Sequence, residues 1–537
     1  MLRHSKVLQD SSHHTHLSTI HILSSAMHSI LPRLSDYDVS ALNGFLPTDP
    51  PCERLSDAYY SRWEAIAQNL QSLILTKRLR SVVDKLPVLS TDLLATLAEW
   101  RRAYSILGFM AHAYIWGGDM PCERVPPSIS VPLLDCCRVL ELPPVATYAG
   151  LVLWNWRPLL IEEPIDSLEN IYTLHTFTGS LDESWFYLVS VAIEARGAPI
   201  IPLMMDAISA ARYNDQEAVT ECLRSFAERL DELGSLLQRM YENCDPHVFY
   251  NRIRPFLAGS KNMADAGLPN GVIFDTGSGE DEYVQYSGGS NAQSSIIQFF
   301  DLALGIEHRP TGTRVGNDTS ASESEGSSKP VHGAPNHNFI MEMRKYMPGP
   351  HARFLEHVGR ISNIRQFVFE NRNNRALSTA YDACLAMLRA FRDKHIQMVS
   401  RYIIIKSRES RSQSRSISPQ HSAPRRMNLA IGSSKRVAGE EDPKKGGSRK
   451  LRGTGGTALI PFLKQARDET GEPAIDAWAR RLLNNGPGPA EMQIVDGPVM
   501  EGARLTKMGE HASGDLEIVG LAGVWRVDES EGGICHW

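Results

Sequence analysis

The chain has 537 residues, 42% of them hydrophobic and 22% charged, with a formal net charge of -6. That composition is ordinary for a globular protein with a sizeable core, and the mild acidity argues against a chain built overall for nucleic acid or membrane surfaces. Eight cysteines, none in a CxxC pair, form neither a disulfide framework nor a zinc-finger spacing, and read as reduced thiols of a cytosolic protein.

Residues 1–35 are rich in His and Ser and read as a flexible tail; His13, His14 and His16 suit a flexible segment better than a metal site. No secretory leader is evident, and no run approaches the ~18–20 apolar residues of a membrane helix. Trp63, Ile66, Leu70 and Leu73 recur at helical steps. Prolines and glycines between 116 and 144 then divide the chain into shorter elements. Leu223, Phe226, Leu230, Leu233, Leu237 and Met240 predict an amphipathic helix of about five turns packed on other helices.

Residues 309–338 are polar and read as a loop, with a sequon at Asn317-Asp-Thr319 that has no use in the cytosol. From Lys406 to Arg452 there are 13 Lys/Arg against 4 Asp/Glu, a composition that cannot bury a core of its own. With no nucleic-acid module beside it, the 407–450 tract reads as a solvated linker. The last 60 or so residues are Gly-rich and weakly patterned. The expected fold is mainly α, with some α+β character before about residue 175.

Between Tyr381 and Tyr402, the residues Cys384, Leu388, Phe391, His395, Met398 and Tyr402 share one helical face. His395 therefore points inward. A neutral imidazole there can ligate a haem iron, or can be a core histidine satisfied by a carbonyl. Gly288-Gly-Ser290 lacks the Lys-Ser/Thr of a phosphate loop, and GxGxxG, HExxH and GxSxG are absent.

Several longer segments carry a resemblance. Ser287-Gly-Gly-Ser-Asn-Ala-Gln-Ser-Ser-Ile-Ile-Gln-Phe-Phe-Asp301, Met343-Arg-Lys-Tyr-Met-Pro348, Tyr381-Asp-Ala-Cys384, His395-Ile-Gln-Met-Val399 and Gly453-Thr-Gly-Gly-Thr457 resemble, in order, the motifs of the indoleamine 2,3-dioxygenases. Glu141-Leu-Pro-Pro144 and Asn155-Trp156 fit upstream, so the resemblance spans roughly residues 40–470. It implies a small α+β domain (36–174), a large all-helical haem domain (175–475) and a C-terminal extension (476–537). It implies haem b with His395 as the proximal iron ligand, supported by an Asp301–Arg392 ion pair.

The matching substrate positions are Tyr148, Phe186, Ser190, Phe249, Arg254, Leu257, Gly289, Ser290 and Thr454. Arg254 would take the carboxylate of L-tryptophan, and Ser190 would stand near O2. Ser290 and Thr454 would address the haem edge or the ammonium group, with the basic linker as a lid. Leu151 replaces a cysteine common in the pocket, and Trp154 is bulkier than usual there. The implied reaction opens the indole C2–C3 bond with O2 to give N-formyl-L-kynurenine, the first step of kynurenine metabolism. The implied setting is a cytosolic monomer without nucleic-acid or membrane partners. The alternative is a haem-binding signalling or scaffold protein with little turnover.

Overall fold

A computed structural model describes residues 31–311, 338–407, 409, 454 and 459–484, and the backbone of three later strands. The His-rich tail, the sequon, most of the polar 309–338 stretch and nearly all of the basic tract lie outside the described residues. So does the lid expected of that tract.

The described chain is mainly helical. Counting helices of ten residues or more, α1 is Leu97–Trp116, α2 Pro127–Leu140, α3 Leu181–Gly197 and α4 Ile200–Arg212. Then follow α5 Gln216–Gln238, α6 Ser295–Leu304, α7 Gly349–Ile361, α8 Arg375–Val399 and α9 Leu459–Thr470. The first of these starts where Thr96 and Glu99 cap each other's backbone N–H groups. Proline at the first position opens α2, and Glu141 ends it in the left-handed region.

Strands are few and short. β1 (Arg124–Val125) pairs in parallel with β4 (Val272–Phe274), which pairs antiparallel with β5 (Tyr283–Val284). β2 (Trp156–Pro158) and β3 (Ile171–Thr173) form an antiparallel pair. The β character expected before residue 175 is thus completed by strands from much later in the chain. The weakly patterned C-terminus carries a helix, Ala477–Asn484, and an antiparallel sheet of β6 (Thr506–Glu510), β7 (Leu516–Gly520) and β8 (Gly523–Arg526).

Two sequence expectations are revised. The Trp63–Leu73 stripe belongs to two short helices, Ser61–Gln68 and Leu70–Leu75, interrupted at Asn69. The segment Leu181–Arg212, nearly continuous through α3 and α4, is long and apolar enough to cross a membrane by composition. In this fold 78% of its most apolar window is buried inside the protein, as the central helix of a core would be.

The stripe from Leu223 to Met240 is buried throughout, and α5 makes its most extensive packing against α8. This pair is the floor on which His395 stands. Helix α9 lies across the other side of α8. Most buried apolar residues form one connected core from Val39 to Leu483, and Val145, Phe339, Met343 and Tyr346 form a second, small cluster.

Candidate active site

A cavity of about 250 Å³ lies between α3, α6, α8 and α9 and the connections around residues 148–152, 249–257 and 289–294. All twelve residues singled out from the sequence line it: Tyr148, Phe186, Ser190, Phe249, Arg254, Leu257, Gly289, Ser290, Asp301, Arg392, His395 and Thr454.

Three of the connecting turns are π-helical, and each supplies cavity wall. Ala149–Leu153 presents Leu151 and Val152, Phe249–Ile253 leads into Arg254, and Ser400–Ile405 presents Tyr402 and Ile403. π-Turns cluster at functional sites because they displace side chains from regular helical register. The stripe that runs evenly to Met398 therefore passes into a wider turn before Tyr402.

His395 comes off α8 and faces the chamber; the surface it retains is cavity wall, not outer surface. Burial, reinforced by the Arg392 charge, pushes its pKa down to about 4. The imidazole is therefore neutral, the form that ligates a metal. Phe391, Val399, Ile403, Leu463 and Ala466 line the same chamber. This donor and its apolar surroundings fit a haem: one neutral nitrogen offered into a slot with greasy walls.

Arg392 lies one turn before His395. It grips Asp301 on α6 through one nitrogen, with Nη2 at 2.6 and 2.7 Å from the two carboxylate oxygens. Its other terminal nitrogen donates to the Thr470 hydroxyl on α9. Asp301 also receives His308 Nε2 at 3.0 Å, and His308 Nδ1 is 2.7 Å from Glu469. The expected ion pair is thus part of a buried network that joins three helices.

The opposite wall is aromatic. Phe186 and Phe249 have ring centroids 4.8 Å apart, and Phe249 meets Tyr402 edge-on at 5.6 Å. Arg254 is 3% exposed, with its guanidinium carbon 5.5 Å from the centre of the Tyr250 ring. Burial lowers its pKa, yet guanidinium remains charged throughout the accessible pH range. His112 on α1 fixes this wall from behind: Nδ1 donates to the Phe256 carbonyl at 2.7 Å and Nε2 accepts the Ala146 N–H at 2.9 Å.

The glycine loop forms a further side. A Cβ on Gly289 would lie 2.5 Å from Leu151 Cδ1 and 3.0 Å from the Ala146 carbonyl, so any side chain there must push Leu151 aside and press on that carbonyl. Thr454 donates its hydroxyl to the Gly289 carbonyl at 2.8 Å, and its own carbonyl accepts from Gly288 N–H at 3.2 Å. Ser290 caps the next turn, accepting the Ala292 N–H. Both hydroxyls thus have structural partners as well as cavity positions.

Trp154 departs from expectation. It does not line this cavity but a separate hollow, with Arg101 over its ring at 5.4 Å and Tyr104 edge-on at 5.9 Å. The π-turn of residues 149–153 sends Leu151 inward, and Trp154 follows it facing the other way.

Sequence reasoning missed Glu194, which is fully buried behind Tyr148 and Ser294. The signal was present: it is an acid one turn after Ser190 in an otherwise apolar stretch of α3. It also missed His308, seven residues past Asp301, and Glu469, which reaches His308 from a distant part of the chain.

These features define a helical protein built around one histidine-bearing, largely apolar chamber. The chain belongs to the indoleamine 2,3-dioxygenase family, an oxidoreductase family whose sequence pattern matches residues 33–473. It is 42% identical over 455 residues to an indoleamine 2,3-dioxygenase of Saccharomyces cerevisiae, covering 82% of this chain and 93% of the relative. It is 38% identical over 444 residues to a 6-hydroxytryptophan 2,3-dioxygenase of Fusarium equiseti, covering 82% and 98%. Human indoleamine 2,3-dioxygenase 2 is 31% identical over 446 residues, covering 82% and 95%.

Proposed function

We propose that this protein is a haem-dependent dioxygenase that cleaves the indole C2–C3 bond of L-tryptophan with O2, giving N-formyl-L-kynurenine. The observation that carries this reading is the shared chamber: a neutral His395 on one wall and a buried Arg254 on another.

Haem b, held by His395, would supply the oxygen-activating chemistry. The chain's own contribution is positioning. Arg254 would pair with the substrate carboxylate, a charge-assisted contact in an apolar wall. Tyr148, Phe186 and Phe249 would flank the indole, and Leu257 and Leu151 would close the space around it. Such walls exclude water and hold the ring in one orientation, so that less freedom is lost on the way to reaction. Arg392 and Asp301 would keep the His395 helix in place against α6.

The reaction would be the entry step of kynurenine metabolism, carried out by a monomer in the cytosol. The seven described cysteines are all free thiols, which suits a reducing compartment.

The test is spectroscopic. Haem-reconstituted protein should show a Soret band and form N-formylkynurenine from tryptophan and O2, and His395→Ala should lose both. Full haem content and activity in His395→Ala would overturn the ligand assignment.

A further inference from the structure

Glu194 has no place in the scheme above, yet it is one of the most deeply buried acids in the described fold, with no measurable exposure. It lies one turn beyond Ser190 on α3. Its Oε1 accepts two hydroxyl hydrogens, from Ser294 Oγ at 2.6 Å and from Tyr148 at 3.0 Å. Its Oε2 is buried and has no hydrogen-bond partner. Tyr148, Ser190 and Ser294 line the cavity, whereas Glu194 stands behind them.

The geometry fixes where the hydroxyl hydrogens are. Each hydroxyl has one hydrogen and two lone pairs. The hydrogens of Tyr148 and Ser294 both point away from the cavity, onto one carboxyl oxygen. Ser294 also accepts the Ile297 N–H at the start of α6, at 3.5 Å, so what each hydroxyl can turn toward the cavity is a remaining lone pair. The Tyr148 backbone is fixed as well, its N–H donating to Gln293 at 2.9 Å, while Gln293 donates to the Gly288 carbonyl at 2.9 Å. The ring is thereby carried on a backbone tied to the glycine loop, while its hydroxyl hydrogen is held by Glu194 alone.

We propose that Glu194 is a positioning residue that turns Tyr148 and Ser294 into hydrogen-bond acceptors, so that this end of the cavity selects a ring carrying a donor. Resting on the tryptophan reading above, that donor is the indole N–H, the ring's only hydrogen-bonding group. A ring of the same shape without it would leave a cavity-facing lone pair with no donor in a dry site, which costs more than the bond itself contributes.

The electrostatics agree. Burial pushes the Glu194 carboxyl up to about 7, and the Ser294 and Tyr148 hydroxyls pull it partly back. Burial, and then the neighbouring Glu194, hold the Tyr148 phenol protonated well beyond its ordinary range. The phenol thus keeps the hydrogen that it gives to Glu194.

The experiment is calorimetric binding to the haem-loaded protein of two probes: L-tryptophan, and its isostere 3-benzothienylalanine, in which sulfur replaces the N–H. Wild type should favour tryptophan by about tenfold, the worth of one well-made hydrogen bond. Glu194→Leu frees both hydroxyls to rotate, and the ratio should collapse toward one. Glu194→Gln keeps a carbonyl oxygen at the same place and should restore the ratio. A residue that merely filled space would change both affinities together and leave the ratio intact, and that result in Glu194→Leu would overturn the proposal. Should that variant not fold, Tyr148→Phe combined with Ser294→Ala removes the two acceptors directly; a ratio that survives them overturns it equally. Wild type that binds both probes alike also overturns it, leaving the tryptophan reading standing, whereas wild type that binds neither overturns the tryptophan reading itself.

Discussion

His308 Nε2 lies 3.0 Å from Asp301 Oδ2, and the other ring nitrogen of the same histidine meets Glu469. Two carboxylates on opposite sides require a hydrogen on both nitrogens, which only imidazolium provides. Burial opposes the charge, but Asp301 and Glu469 outweigh it and raise the His308 pKa above its ordinary value. The stabilisation is therefore complete below the unfolded imidazole pKa and is lost as pH rises through the higher folded one. Thermal unfolding followed across that window should show stability falling with rising pH. His308→Gln should lower stability at the acidic end and flatten the profile. An unchanged slope in the variant would refute the assignment.

Asp301 is held by the same network from the other direction. Burial disfavours its charge, but Arg392 and His308 overcome this and keep its carboxyl below the ordinary range. Its loss leaves two cations buried without their shared partner. Asp301→Ala should cost about 3–5 kcal/mol in urea unfolding, the range for breaking a buried ion pair from one side. A loss under 1 kcal/mol would mean that the network contributes little.

Arg254 is expected to act on the carboxylate alone. Arg254→Ala should raise KM for tryptophan roughly 10- to 150-fold, the loss of one charged hydrogen-bonding contact. Tryptamine, which has no carboxylate, should bind wild type and variant equally. Steady-state kinetics paired with tryptamine competition decide the point; an equal loss for both ligands would assign Arg254 to packing.

The contact between Gly289 and Leu151 predicts a rescue. Gly289→Ala places a methyl group against Leu151 Cδ1 and the Ala146 carbonyl, and overpacking of this kind costs about 1–3 kcal/mol. Leu151→Ala removes the side-chain part of the clash, so the double variant should be more stable than the sum of the singles. Additive losses in a thermal-melt cycle would place the strain wholly on the Ala146 carbonyl.

Much of this was legible in the sequence because it depends on periodicity. The Leu223–Met240 stripe and the His395 face follow from 3.6-residue spacing, and both are buried where expected. The Asp301–Arg392 pair was legible only through family likeness, since nothing local joins residues 91 positions apart. Periodicity failed where the backbone leaves the regular helix. Trp154 was placed in the pocket by family likeness, but the π-turn of 149–153 turns it into a separate hollow. Glu194 escaped notice because its partners, Tyr148 and Ser294, come from distant connections. His308 lies seven residues past Asp301, but its second partner, Glu469, arrives with the return of α9, which no short-range pattern encodes.

The three π-helical turns around the chamber have a consequence for how its shape can change. A π-turn holds one residue more than the α-helix it interrupts. Removing a single residue from 249–253 or 400–405 would let that stretch rewind as ordinary α-helix, moving the side chains of the turn itself while the helix beyond keeps its register. Point substitution trims the chamber's lining, whereas a one-codon deletion at either place would withdraw the side chains that the turn presents, Phe249 at one and Tyr402 and Ile403 at the other. The dimensions of this chamber are set by chain length as much as by side-chain size.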